Sequence, residues 1–430
     1  MINRISPVST QSNLKIYRII SYFLIFFFLF SFFFFLIPHK VICESGNSLY
    51  KEEIDIAAKS AVLVNYETGD ILWEKNSSSK MYPASLTKML SSIVAIENIG
   101  NLEEVVKIPV NASGRNHSAF RFRTGDRVSL LDLLKASLIS SHNNAIVALA
   151  EYVSGSQEDF VLLMNVKAKE IGAYDTFFQN TNGLDSEFPE HKSTAADLAK
   201  IAGYCMKNDL FCEIVNTEND TIKINNEEIE IKNTNNLLEY NYIKGIKTGA
   251  TVNAGFCIAI YSEKEDLKLV TVILNDKTIE ERDDDVQKLL SWAYDNLKYT
   301  KVVDSEKPAV TVIAGSTTVL DIDLYPETDY VNLVNIKSDT VDIESRVKDD
   351  ITLPVEKNEV MGSMDILING KKMKEIDLIS RENIGSGYIS QELSASESRQ
   401  TLFIIIFLIV FYFLIFLTII VRNLLLRRNL

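Results

Sequence analysis

Apolar residues along this chain fall into two kinds of pattern. At each end lies a run that is apolar almost throughout: Ile19 to Ile37, broken only by Ser21 and Ser31, and Leu402 to Val421, twenty residues without a charge. Between them apolar positions recur at strand and helix periods, which predicts a folded body. Ala61 to Tyr66 and Ile71 to Lys75 flank Glu67-Thr68-Gly69-Asp70 and predict a β-hairpin. Pro83 suits the first position of a helix, and the helical period from Ser85 onward ends near Asn98 to Gly100. Val105 to Val110 predicts a short strand, and Gly125-Asp126 a turn. Leu130 to Leu138 and Ala145 to Val153 predict helices joined by the polar loop Ile139 to Asn144. Ser156 can cap a helix over Asp159 to Ile171, and Thr194 with Asp197 resembles a capping box ahead of Ala195 to Met206.

Strands follow at Thr221 to Ile224, Ile229 to Lys232 and Gly245 to Thr251, then a hairpin of Phe256 to Tyr261 with Leu267 to Leu274. Thr278 to Lys298 reads as one long helix carrying Leu289, Leu290 and Trp292. Helices thus cluster in the middle with strands at both ends, an α+β pattern in which helices pack on an antiparallel sheet. After Lys307-Pro308 the chain turns to short alternating runs rich in Val, Ile, Thr and Asp over Val310 to Val360, which predicts a small all-β domain. Arg381 to Gln400 is polar and reads as a tether.

The apolar ends set the expected topology. Arg4, Lys15 and Arg18 precede the first run, so it reads as a signal peptide or an uncleaved anchor. It exceeds the roughly 7–15 residues usual for the apolar part of a signal peptide. Cleavage near Cys43 to Ser45 fits, whereas bulky Ile42 argues against a lipid on Cys43. The second run has the length of a transmembrane helix, and Arg422, Arg427 and Arg428 behind it place the C-terminus in the cytoplasm. Residues 44–400 are then extracytoplasmic, on a protein of the cell membrane. The 430 residues are expected to divide into a signal or anchor (1–45), a main α+β domain (50–300), a β-domain (307–380), a tether (381–400), a transmembrane helix (401–422) and a basic tail (423–430).

A net charge of −14 argues against a nucleic-acid partner, which calls for a basic patch. Cys43, Cys205, Cys212 and Cys257 fit no zinc spacing. Cys205 and Cys257 read as small buried hydrophobes, with a Cys205–Cys212 pair open in principle. His117, His142 and His191 have no second ligand at metal spacing, so neither a metal nor a cofactor is expected.

The candidate chemistry starts at Ser85 and Lys88. Three residues apart on a helix, they share one face, and a neutral lysine can take the proton that makes a serine hydroxyl nucleophilic. Ser-x-x-Lys alone says little, since Ser12 with Lys15 and Ser77 with Lys80 repeat it. Ser141-His142-Asn143 in a loop and Lys247-Thr248-Gly249-Ala250-Thr251 in a strand complete an ordered set, the signature of penicillin-binding proteins and class A β-lactamases.

With these motifs the chain resembles the D-alanyl-D-alanine carboxypeptidases, low-molecular-mass penicillin-binding proteins of serine peptidase family S11, over roughly residues 50–380. Asn182-Gly183-Leu184, His191 to Ala199, Asn233-Thr234-Asn235 and Ala254-Gly255-Phe256-Cys257 match as well, and Leu353 to Lys357 with Gly362 resembles the β-domain of the family. The resemblance implies a fold like that of serine β-lactamases and penicillin-binding proteins. It implies removal of the terminal D-alanine from peptidoglycan stem pentapeptides, with β-lactams as covalent inhibitors. Ser85 would be the nucleophile, Lys88 the base and Ser141 a proton relay. Asn143 would bind the substrate amide. Lys247, Thr248 and Thr251 would hold the terminal carboxylate, Gly249 would let the strand come close, and the Ser85 and Ala250 N–H groups would form the oxyanion hole. An ordinary lysine has a pKa of about 10.4; burial and a second cation both depress it, and the resemblance implies that the Lys247 strand lies beside the Ser85 helix and makes Lys247 that cation.

The middle motif often has Gly or Ala where His142 stands and Asp where Asn144 stands, so His142 is a residue that can alter substrate access or turnover. Three other readings stay open: a β-lactamase using Glu187 or Glu190, a related transpeptidase or endopeptidase, and an inactive peptidoglycan-binding protein. Oligomeric state is not legible.

Overall fold

The computed structural model describes residues 48–114, 120–314, 320–349 and 351–385. The expected end segments, 1–45 and 401–430, His117, Cys43 and most of the tether lie outside them. Among the described residues no helix is long and apolar enough to cross a membrane.

The scaffold is a five-stranded antiparallel sheet of strands β1 (Ser60–Asn65), β2 (Ile71–Lys75), β7 (Lys247–Thr251), β8 (Gly255–Lys264) and β9 (Leu267–Asp276). Their order is β2-β1-β9-β8-β7. Every residue of β1 is buried, because both faces of the sheet are covered. Side chains alternate between faces, so Val62 and Val64 join one core cluster and Ala61 and Leu63 the other. The second cluster is closed by α7 (Ile279–Asn296), whose Val286, Leu289, Leu290 and Ala293 are buried. Trp292 is only partly buried, edge-on to Tyr50 at 5.9 Å.

The first cluster is the helical body: α1 (Thr87–Asn98), α2 (Leu130–Leu138), α3 (Asn143–Ser154), α4 (Gln157–Ile171), α5 (Ala195–Cys205) and α6 (Asp209–Val215). The caps follow the sequence: Ser156 and Thr194 each accept a bond from the third N–H of their helices, at Asp159 and Asp197. Two-stranded sheets β3 (Val105–Lys107) with β4 (Arg127–Ser129), and β5 (Asn219–Ile224) with β6 (Glu227–Lys232), edge this body. Cys205 and Cys257 are buried free thiols, as small apolar fillers.

Three local expectations need correction, and one helix goes beyond them. The helix of Ser85 does not start at Pro83: a 3₁₀ turn, Ala84–Leu86, comes first and the α-helix begins at Thr87. The strand at Val105 stops at Lys107, and Val110 lies in a 3₁₀ turn. α6 was not evident, because it is only seven residues long and depends on burying Phe211, Ile214 and Val215. The long helix ends at Asn296, and Leu297–Val303 is a strand, β10.

β10 pairs with β13 (Tyr330–Asn335), Leu297 opposite Asn335. The C-terminal sheet comprises β11 (Val310–Ala314), β12 (Leu320–Pro326), β14 (Val341–Val347), β15 (Val360–Ile368) and β16 (Lys371–Ser380), in the order β11-β12-β16-β15-β14. Its own core holds Ile322, Leu324, Met364, Ile366, Ile376 and Leu378.

Candidate active site

Ser85 lies in the 3₁₀ turn at the head of α1. The residue before it, Ala84, has φ +49°, a left-handed conformation that a residue with a Cβ seldom takes. Six of the nine positive-φ non-glycine residues described are asparagines; the others are Ala84, Ser141 and Glu265. Such strain costs on the order of 1–3 kcal/mol and persists where packing over-determines it. Two glycines supply that packing. A Cβ on Gly183 would lie 1.8 Å from the Ala84 carbonyl oxygen, and one on Gly249 would lie 2.8 Å from the Ser85 nitrogen. The turn is clamped between the Asn180–Leu184 segment and β7, with room for hydrogen only.

Lys88 projects from the first turn of α1 and is wholly buried. Its Nζ lies 2.8 Å from Ser85 Oγ, 2.6 Å from Asn143 Oδ1 and 3.2 Å from the Asn182 carbonyl. Burial, and then the Lys247 charge behind it, hold its pKa well below the usual lysine range. All three partners are neutral, so nothing compensates a charge at this site. Among the described residues no carboxylate bonds to Ser85 or Lys88, and Glu187 and Glu190 are exposed.

The middle motif occupies the loop between α2 and α3. Asn143 is the first residue of α3, which points its amide at Lys88. Ser141 is half-buried with φ +58°. His142 turns away: its ring is buried, stacked on Phe120 at 4.6 Å and edge-on to Phe122 at 4.7 Å. Its Nε2 lies 3.2 Å from the Phe120 carbonyl, and burial pushes its pKa down to about 4. The ring fills core space behind the loop.

β7 brings the third motif alongside. Lys247 is buried, its ammonium 3.0 Å from the Thr248 carbonyl, and burial followed by the charge of Arg282 pushes its pKa down to about 7. Thr248 Oγ1 donates to Thr234 Oγ1 at 2.7 Å. Thr251 Oγ1 donates to Asp185 and accepts from the Ala254 N–H, at the turn into β8. Ala250 is exposed on the same strand.

Two residues were not legible as part of this region. Arg282, in the first turn of α7, is buried, and its Nε and Nη2 donate to Asp283. Its place near Lys247 comes from packing α7 against the sheet, and no local motif marks it. His191, just ahead of α5, is buried and bonded to Thr87, inside the Ser-x-x-Lys segment. Among the described residues no group of His, Cys, Asp and Glu could hold a metal ion.

The sequence profile of the D-alanyl-D-alanine carboxypeptidase family matches residues 47–278. The chain is 31% identical to the D-alanyl-D-alanine carboxypeptidase DacC of Escherichia coli, across 78% of this chain and 86% of that protein. It is 29% identical to DacF of Bacillus subtilis, across 79% and 89%. Penicillin binding protein 5 from Haemophilus influenzae has a similar solved structure: TM-score 0.59, 26% identity, 78% of this chain and 100% of that one. With a profile over half its length and a relative of this identity and coverage, the chain belongs to the D-alanyl-D-alanine carboxypeptidase family, S11 of the serine peptidases.

Proposed function

We infer that the chain is a serine-type D-Ala-D-Ala carboxypeptidase that removes the terminal D-alanine from peptidoglycan stem pentapeptides and is acylated by β-lactams. The observation that carries this reading is the buried, pKa-lowered Lys88 amine 2.8 Å from Ser85 Oγ. Ser85 Oγ attacks the carbonyl between the two D-alanines while Lys88 takes its proton. The oxyanion is met by the Ser85 and Ala250 N–H groups, a pairing supported by the close approach of Gly249. Ser141 passes a proton to the leaving amine, free D-alanine departs, and water activated by Lys88 hydrolyses the acyl-enzyme. Asn143 orients Lys88 and the substrate amide. The terminal carboxylate sits by the Lys247 and Arg282 charges, along the edge that carries Thr248 and Thr251.

The catalytic domain, residues 50–300, acts outside the cytoplasm. The β-domain, 307–380, serves as a stalk. The segment 401–422 anchors the chain in the membrane, with residues 423–430 in the cytoplasm. A β-lactamase reading has no support from the exposed Glu187 and Glu190. Release of D-alanine from a diacyl-Lys-D-Ala-D-Ala peptide tests the function. The protein should release it, a Ser85→Ala variant should not, and a C-terminally amidated peptide should be a much poorer substrate. Equal rates on the amidated peptide would refute the carboxylate site. A folded protein that releases no D-alanine would be a peptidoglycan-binding protein.

A further inference from the structure

His191 takes part in none of these steps, yet its ring is tied into the turn that carries Ser85. The Gln179 N–H donates to His191 Nδ1 at 3.0 Å. A neutral imidazole has one acceptor and one donor nitrogen, so the proton is on Nε2. Nε2 lies 2.8 Å from Thr87 Oγ1, and the Thr87 hydroxyl has a single hydrogen, donated to the Ala84 carbonyl at 2.9 Å. Each group in the chain from Gln179 to Ala84 thus has one possible role. The ring also stacks on Phe178 at 5.0 Å. Burial keeps it neutral, its pKa pushed down to about 4. The chain ends on Ala84, whose left-handed backbone sets where Ser85 points.

We propose that His191 is a positioning residue for the nucleophile: its Nε2–H, through the Thr87 hydroxyl, holds the Ala84 carbonyl and with it the strained turn that aims Ser85 Oγ at Lys88. A ring serving only as core filler would need shape but no particular tautomer. Here both nitrogens are used, and the second is spent on the helix turn between the proposed nucleophile and base. The inference rests on the reading of Ser85 as the acylated residue.

The test compares wild type, His191→Gln, His191→Asn, Thr87→Val and the double variant His191→Asn/Thr87→Val. Glutamine can place a donor where Nε2 stands, whereas asparagine reaches only the position of Nδ1. The acylation rate and the non-covalent affinity for a fluorescent penicillin are measured separately, with thermal unfolding followed by circular dichroism. His191→Asn and Thr87→Val should acylate about tenfold to a hundredfold more slowly, as expected for a misaimed nucleophile, with affinity unchanged. His191→Gln should recover most of the rate, and the double variant should be no slower than the slower single one, because the residues act as a unit. Equal losses in the Gln and Asn variants, or a rate loss no larger than the loss of folded protein, would overturn the proposal. If His191→Asn does not fold, Thr87→Val, which keeps the shape of the side chain, decides. Peptide mapping of wild type separates the two readings. An adduct away from Ser85 would overturn the assignment of the nucleophile itself; an adduct on Ser85 with unaffected variants would overturn only the role of His191.

Discussion

Lys88 and Lys247 are both removed from water, but the proposed chemistry needs them in opposite states. Lys88 must be neutral to accept the Ser85 proton, and burial with the neighbouring cation lowers its pKa in that direction. Lys247 must be charged to attract a carboxylate, and its pKa stands at about 7. kcat/KM for the D-Ala-D-Ala peptide should therefore be bell-shaped. The acid limb appears as Lys88 takes up a proton with falling pH. The alkaline limb appears as free-enzyme Lys247 loses its proton with rising pH, with a midpoint near 7. A bound carboxylate favours the charged form, so the limb in kcat should lie at higher pH. A Lys247→Arg variant does not titrate in this range and should lose the alkaline limb in kcat/KM. D-alanine release measured across pH checks this, and an unchanged limb in that variant would assign the titration to another group.

At the scale of elements, the site is a close approach between the 3₁₀ turn Ala84–Leu86 and strand β7. Gly249 makes it possible, since a Cβ there would meet the Ser85 nitrogen at 2.8 Å and the Ala84 Cβ at 3.0 Å. Backbone cannot yield as a flexible side chain does, so Gly249→Ala should push β7 off the turn and spread the proposed oxyanion donors. Loss of one such donor typically costs ~10²–10³ in rate; acylation and D-alanine release should fall by about that factor, and thermal unfolding should come at a lower temperature, since overpacking costs about 1–3 kcal/mol. A variant of normal rate would show that the strand and turn can part without harm. These approaches also mark the limit of what the sequence reveals. The three motifs were readable because their residue types and order carry chemistry, and the caps at Ser156 and Thr194 because a side chain satisfies a nearby N–H. Ala84 is a small apolar residue whose unusual backbone is imposed by Gly183 and β7 from far along the chain. Arg282 and His191 are likewise placed by packing across the sheet and the helical body, which no local period encodes. The burial of the His142 ring was not legible for the same reason: its neighbours Phe120 and Phe122 are distant in sequence.

At the scale of the molecule, the C-terminal sheet is joined to the rest through a polar hub as well as through the pairing of β10 with β13. Asp339 accepts the Asn335 N–H and the Asn369 amide, each at 2.7 Å, and Tyr50 OH at 3.3 Å. Nearby, the Asn335 amide donates to Glu52 at 2.8 Å. The segment before β1 is thereby held against the loop between β13 and β14. The hub lies on elements that carry none of the proposed catalytic residues, so its effect should be on stability and on the joint between the two parts. Asp339→Ala would take the acceptor from three donors, of which the Asn335 N–H and Tyr50 hydroxyl are part-buried and the Asn369 amide exposed; a typical hydrogen bond contributes about 0.5–1.5 kcal/mol. The variant should unfold at a lower temperature and be cut faster by protease near Asn335 to Thr340, while kcat/KM on the D-Ala-D-Ala peptide stays at the wild-type value. A parallel fall in kcat/KM would mean that the C-terminal sheet helps to shape the catalytic groove. Unchanged unfolding and proteolysis would mean that the β10–β13 pairing and its apolar contacts hold the joint without the hub.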